Sequence, residues 1–400
     1  RKLLQSWLET HKDSFKGIAP GAWSKAVEDG RLKGTTPLYL LARKYDGCTL
    51  LNSWFKEENV NFKGISSDAW SKPCKKGSGE GKTPLWLLAS TFTGSKLLKL
   101  WLKQDPESFK SIVPEAWTKP CEKGKDKGQT PLYGLANNSK GIALLQSWLK
   151  KFKSFERIDS KAWTKPCEAG ADIGKTPLWL LAKTSEGRDF LQFWLQKDPE
   201  GFKSISSDAW SKPCEVGADK GKTPLYWLAE SSGGYELLKL WIKKEGATPL
   251  YTLAKTRAGR GFLQSLLTTD PEDFMRIPPE AWTKPCEDSP YKGTTPFWWL
   301  VANPDGRALL KLWLEKYIES FKSIVPEAWS KAPEDGRYKG TTPLWWPARN
   351  YDDFKSIVPD AWSKAPEDGP YKGITPLWWL ARNYDDFKLL ELWIQNDSNN

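Results

Sequence analysis

The sequence predicts an all-α helical repeat solenoid, and three recurrences locked to one period predict it. A Thr-Pro-Leu triplet, once Thr-Pro-Phe, returns nine times, at Pro37, Pro84, Pro131, Pro177, Pro224, Pro249, Pro296, Pro343 and Pro376. An Ala-Trp pair keeps step with it at Trp23, Trp70, Trp117, Trp163, Trp210, Trp282, Trp329 and Trp362. A Leu-Leu-x-x-Trp-Leu block does the same at Trp7, Trp54, Trp101, Trp148, Trp194, Trp241, Trp313 and Trp393, with Leu266 in the Trp place once. Successive prolines lie 47, 47, 46, 47, 25, 47, 47 and 33 residues apart. Self-similarity at a fixed period is the signature of stacked supersecondary units. Residues 1–400 are therefore expected to form a single repeat array, with units starting near 35, 82, 129, 175, 222, 247, 294, 341 and 374.

Each full unit divides into three helical pieces. The first is Thr-Pro-Leu-aromatic-x-Leu-Ala, as in Thr83 to Ala89. Thr is a good N-cap, and Pro at the first helical turn loses no hydrogen bond because its position has no intrahelical partner anyway. The second piece places Leu97, Leu98, Trp101 and Leu102 on one helical face. A short link between the two suits an antiparallel helix hairpin. The third piece, Asp105-Pro106-Glu107 followed by Pro114-Glu115-Ala116-Trp117, starts an extra short helix with a cap and a first-turn carboxylate, then restarts. A Gly-rich charged loop closes the unit.

Two units are shortened. The copy at 222–246 lacks the whole third piece, and the copy at 341–373 lacks the second, so that Asp353-Phe354-Lys355 runs directly into Ser356-Ile357-Val358. The latter also carries Pro347 where its sisters have Leu. A proline inside a helix costs about 3 kcal/mol, so a bend is expected near residues 343–360.

Composition excludes several function classes. Of 400 residues, 39% are hydrophobic and 27% charged, which is ordinary for a folded chain. No apolar run reaches the roughly eighteen residues of a membrane span. One histidine, His11, leaves little room for His-dependent catalysis or metal binding. The chain opens on Arg1 without a Met, so the true N-terminus is expected either to lie upstream or to have been removed, leaving any localisation signal out of view.

The motifs that imitate chemistry fail on context. Gly170 to Thr176 and Gly217 to Thr223 look like phosphate loops, but three residues separate their glycines where the P-loop needs four. They are expected to be turns entering helices. Cys74, Cys121, Cys167, Cys214 and Cys286 occupy one repeat position, one per unit. Layers roughly 8–10 Å apart exceed the Cα separation of about 7 Å that a disulfide tolerates. Free thiols in a reducing compartment are expected. Cys48 stands alone, without a repeat counterpart. Acidic residues recur with the period, as surface loops do, so no catalytic carboxylates, cofactor or metal site is expected.

Most of the 25 tryptophans are expected in the core between layers. The residue that follows the aromatic after Thr-Pro-Leu is different. It is Leu40, Gly134, Trp227 or Thr252 in different units, a spread that implies loose packing. Trp227, Trp299, Trp346 and Trp379 at that position are thus candidate exposed anchors, Trp being common in binding hot spots.

The stretch Gly170-Ala171-Asp172…Gly174-Lys175-Thr176-Pro177-Leu178-Trp179-Leu180-Leu181-Ala182, with Leu191…Trp194-Leu195, resembles the turn and helix pair of ankyrin repeats. The resemblance covers the first two pieces and the turn of nearly every unit. It departs in placing an aromatic where ankyrin repeats carry His, and in a period 14 residues beyond the typical 33. It implies a non-enzymatic protein-interaction scaffold, binding through loop tips and the exposed side of the first helix. Arg43-Lys44-Tyr45 and Thr91-Phe92 lie in such places, and so do the loop residues Lys75-Lys76, Tyr291-Lys292, Arg337-Tyr338 and Tyr371-Lys372. Their basic and aromatic character points to a partner with an acidic surface. Ankyrin-like arrays are common in host-directed proteins of intracellular bacteria, which implies a cytoplasmic location, including a host cytoplasm after secretion.

Two alternatives stand beside this expectation. Ends without polar caps would allow head-to-tail assembly of copies into a filament. A basic, aromatic-rich repeat would bind single-stranded nucleic acid. The net charge of +11 over nine units is about one charge each. Lysines also alternate with Glu and Asp in the same loops, and on that ground nucleic acid is not expected.

Overall fold

The computed structural model describes residues 20–29, 33–56, 65, 67–75, 79–155, 158–245, 247–286, 292–317, 320–321, 328, 339–343, 372–373 and 375. These residues are helical and contain no strand, only an isolated bridge between Cys167 and Ile173. The protein is an all-α helical repeat solenoid, as its periodicity predicts. Its contacts group into two units, Arg1–Leu228 and Ala229–Asn400.

In the first unit the copy beginning at Thr83 is representative. Thr83 caps the helix Pro84–Ala89 by accepting a hydrogen bond from the Trp86 amide, and Pro84 takes the first turn. Thr36, Thr130 and Thr176 do the same for the helices Pro37–Ala42, Pro131–Ala136 and Pro177–Lys183. A longer helix, Phe92–Gln104, follows, with Thr91 accepting from the Gly94 amide. Leu97, Leu98, Trp101 and Leu102 on it are buried, as their spacing predicts. Asp105 then caps a short helix, Pro106–Lys110, and Pro114–Thr118 forms another. The extra piece is thus two short helices, because each Pro fixes φ for a new first turn.

The two main helices touch backbone to backbone. A glycine near the start of each long helix makes this possible. At Gly94, Gly141 and Gly187 a Cβ would overlap the carbonyl of Leu88, Leu135 or Leu181.

The loops repeat one bracket. The amide of Cys121 donates to Gln129, and the amide of Gly128 donates back to Cys121. Cys74, Cys167 and Cys214 form the same pair with Lys82 and Gly81, Lys175 and Gly174, and Lys222 and Gly221. The returning glycine is left-handed, with φ of 83, 86, 83 and 84° at Gly81, Gly128, Gly174 and Gly221, a region that L side chains avoid. The Cys121 thiol donates to the Lys123 carbonyl at 3.2 Å, and the Cys167 thiol to Ala169 at 3.1 Å. Burial, the largest influence, raises the pKa of both thiols, so they are neutral donors.

A run of aromatic contacts passes through the core. Trp117 meets Trp148 of the following copy at 4.8 Å between ring centroids, and Trp163 meets Trp194 at 4.7 Å. Phe109, Phe155 and Phe202 fill the spaces between these rings. The period-locked tryptophans are core residues as expected: Trp70, Trp101, Trp117, Trp163, Trp194 and Trp210 are almost wholly buried.

The second unit begins with the end of the copy at 222–246. Its long helix, Ser232–Glu245, is followed by Ala247–Lys255 with no short helices between. Arg257–Thr269, Pro271–Met275, Pro279–Thr283, Pro296–Ala302 and Pro304–Lys316 then restore the full pattern. Phe274, Trp282 and Trp313 form its aromatic cluster, with Trp282 and Trp313 5.0 Å apart. The bend expected near residues 343–360 lies outside the described residues, apart from Pro343 itself.

Candidate functional site

The leading helices carry the site. The aromatic after Thr-Pro-Leu is buried in most described copies: Tyr39, Trp86, Tyr133, Trp179, Tyr251 and Trp298. In several copies its polar tip reaches the loop of the next copy. The Trp179 indole donates to the Lys222 carbonyl at 2.9 Å, the Trp298 indole to Thr341 at 2.9 Å, and the Tyr39 hydroxyl to Gly79 at 3.2 Å. Sequence reading left this bridge unseen, because it joins residues about one period apart.

The following position needs correction. It is not uniformly loose. Gly134 is buried, and a Cβ there would meet Ser90 Oγ at 2.7 Å and the Ser90 amide nitrogen at 2.9 Å. Thr252 is buried as well. The position is packed in some copies, as at Gly134 and Thr252, and open in others, as at Leu40. Trp227 and Trp299 are half-buried. Trp299 packs edge-on against Trp298 at 5.0 Å. Trp227 packs edge-on against Trp179 of the preceding copy at 5.8 Å.

Lysines gather on these rings. Lys222 Nζ lies 4.6 Å from the Trp227 ring centroid and Lys183 Nζ 5.2 Å from it. Lys183 is also 5.1 Å from the Trp179 ring, and Lys175 is 5.2 Å from that ring. Lys82 stands 4.5 Å over Trp86. An ammonium over an aromatic face is attracted by the ring quadrupole. Lys82, Lys175 and Lys222 share one repeat position, two residues before the proline. Sequence reading passed over Lys175 and Lys222 as parts of false phosphate loops and did not single out Lys82. The pattern Gly-Lys-Thr-Pro-Leu-aromatic was the available signal, since a lysine four residues before an aromatic at a helix start can fold back onto it.

Carboxylates hold the same lysines. Asp126 binds Lys82, and Asp172 binds Lys175 at 2.8 Å. Asp219 binds Lys183 at 2.8 Å and Lys222 at 3.5 Å. The Lys183 hydrogen bond, opposed by partial burial, holds the Asp219 carboxyl below the usual carboxylate range. A smaller exposed patch lies where the main helices join. Tyr45 and Phe92 are exposed there, and Lys96 and Lys140 lie 4.7 and 5.2 Å from the Phe92 ring centroid.

Of the other sequence candidates, Lys75, Lys292 and Lys372 are exposed. Trp346, Trp379, Lys76, Tyr291, Arg337, Tyr338 and Tyr371 lie outside the described residues. Among the described residues, no three His, Cys, Asp or Glu side chains gather as metal ligands, and no helix is long and apolar enough to cross a membrane.

No protein-family model matches the chain, and no curated protein matches it. Solved structures do. A Puf4 RNA-binding domain bound to the HO endonuclease RNA 3′ UTR recognition sequence is similar at 15% identity, over 72% of this chain and 91% of that one, with a TM-score of 0.29. PUF-8 in complex with PBE-RNA is similar at 11% identity, over 98% and 93%, with a TM-score of 0.27. A Puf3 RNA-binding domain bound to a Cox17 RNA 3′ UTR recognition sequence is similar at 11% identity, over 71% and 75%, with a TM-score of 0.26. Each was solved with RNA. That they hold RNA goes against the expectation of a scaffold for an acidic protein and against the expectation of no nucleic-acid partner, while the likeness itself is one of helical-repeat fold. The charge argument averaged signs along the sequence, whereas folding gathers Lys175, Lys183 and Lys222 around two indoles.

Proposed function

We propose that this chain is a non-enzymatic repeat protein that binds single-stranded nucleic acid along the lysine-bearing aromatic face of its leading helices. The observation that carries the reading is the half-buried Trp227 ring with two ammoniums over it. A ring with adjacent cations offers what a single strand needs: a flat surface for a base and positive charge for a phosphate. Stacking accepts any base, so such a face binds single strands with little sequence preference. Lys82 on Trp86 and the Lys175, Lys183 and Trp179 group repeat the lysine–indole contact in earlier copies, on rings that are themselves buried.

Oligoribonucleotides are the first probe, with single-stranded and duplex DNA beside them. Fluorescence anisotropy with the full chain is expected to give binding to single strands that weakens as salt rises, and weaker binding to duplex. Binding that ignores salt, or none to any strand, overturns the reading.

Two finer readings belong with it. The capped helix pair and the glycine turn support an ankyrin-like local geometry, lengthened by two short helices. The free thiols suit a reducing compartment.

A further inference from the structure

The lysines on Trp227 arrive from different parts of the fold, and one carboxylate holds them. Lys183 ends the helix Pro177–Lys183, while Asp219 and Lys222 belong to the loop before Pro224. Asp219 Oδ2 accepts from Lys183 at 2.8 Å and Oδ1 from Lys222 at 3.5 Å. The equivalent Asp126 and Asp172 are each paired with one lysine. Among the described ion pairs, Asp219 is the acid whose two lysines cover the same indole.

Exposure divides these groups. The Lys183 and Lys222 side chains are 39% and 32% exposed, whereas that of Asp219 is 14% exposed. An anion approaching from solvent meets the ammoniums first and the carboxylate behind them. Two ammoniums and one carboxylate leave one net positive charge beside a half-buried ring. One phosphodiester carries one negative charge.

We propose that Trp227, Lys183 and Lys222 form a binding site for one nucleotide of a single strand, and that Asp219 sets its affinity by neutralising one of the two ammoniums. The proposal rests on the nucleic-acid reading above. The base stacks on the exposed part of the half-buried Trp227 ring, and the phosphate bridges the ammoniums. Asp219 has two opposed effects. It fixes the lysines over the ring and cancels part of their charge.

The test measures anisotropy of labelled oligouridylate and oligothymidylate with the full chain, at several salt concentrations. Trp227→Ala is expected to weaken binding about tenfold, the scale of one lost stacking contact. Asp219→Asn keeps an acceptor for the lysines and removes the charge. It is expected to tighten binding about threefold to tenfold, with a steeper salt dependence. The double variant Lys183→Gln with Lys222→Gln is expected to weaken binding and flatten the salt slope by about 0.7, the value for one phosphate contact on a single strand. A thermal melt of each variant accompanies the binding data. If Asp219→Asn unfolds, the double lysine variant carries the test, and an unchanged slope there overturns the site. If wild-type chain binds and a folded Asp219→Asn binds equally or more weakly, the role of Asp219 is overturned while the nucleic-acid reading stands. If wild-type chain binds neither strand, the reading itself falls.

Discussion

At the scale of single residues, this chain uses tryptophan in two ways, and neighbours decide which. Trp194 is buried among Phe155, Trp163 and Phe202, with ring centroids 4.7 to 5.7 Å away. Truncating it leaves a cavity the stacked rings cannot close, so Trp194→Ala is expected to cost about 3–5 kcal/mol in urea unfolding. Trp227 lies half in solvent under two lysines. Trp227→Ala is expected to cost less than about 1.5 kcal/mol in the same measurement, while weakening strand binding. The first role was legible in the sequence, because helical spacing marks a buried face. The partial exposure of Trp227 was half legible. Sequence variation flagged Trp227, but the same reasoning made Gly134 loose when it is packed against Ser90.

Two buried groups make a pH prediction at the same scale. Burial pushes the Cys48 thiol up from 9.0 to about 11. Burial, aided by the nearby Cys74 thiol, pushes the Tyr39 hydroxyl up from 10.0 to about 12. Both groups are favoured neutral in the folded state. Between the unfolded and folded values the native chain binds more protons than the unfolded chain, so stability falls as pH rises. The melting temperature is expected to be insensitive to these groups below about pH 9 and to drop progressively toward pH 12. Cys48→Ala and Tyr39→Phe are expected to reduce that alkaline loss. A melt series that stays flat above pH 10 in wild type contradicts the assignment.

At the scale of elements, the helix starts were the most legible feature. Thr followed by Pro satisfies an orphan amide and presets the first turn using only adjacent residues. Thr176→Ala, which removes the bond from the Trp179 amide, is expected to cost about 1 kcal/mol. The glycine of the long helix was less legible. A glycine inside a helix ordinarily signals weakness, of roughly 1 kcal/mol against Ala. Here that rule reverses, because the Leu181 backbone occupies the space a Cβ at Gly187 needs. Gly187→Ala is therefore expected to destabilise by about 1–3 kcal/mol despite its better helix propensity, read by the same urea titration. A stabilised variant contradicts the close packing. The third piece was read as one short helix with a restart. Two separate helices form because Asp105 caps the first and Pro114 opens the second.

At the scale of the whole molecule, the net charge is +11, and the lysines on the indoles are held by Asp126, Asp172 and Asp219. Acids sit behind lysines on the leading-helix face, so binding there is expected to involve few phosphates. A plot of log affinity against log salt for a single strand is expected to be linear, with a slope near −0.7 for each phosphate neutralised. A slope indistinguishable from zero rules out this face as the contact surface.

By itself the sequence determined the period, the helix starts and the burial of the large aromatic residues, since each depends on residues within a few turns of one another. Only the tertiary structure decided which lysine covers which ring. Lys183 and Asp219 are 36 positions apart and meet because one copy stacks on the next. The same stacking decides whether the residue after the aromatic is buried, as Gly134 and Thr252 are, or left at the surface, as Trp227 is. Local rules act along the chain, whereas a binding face is made by the distance between copies, which no single copy encodes.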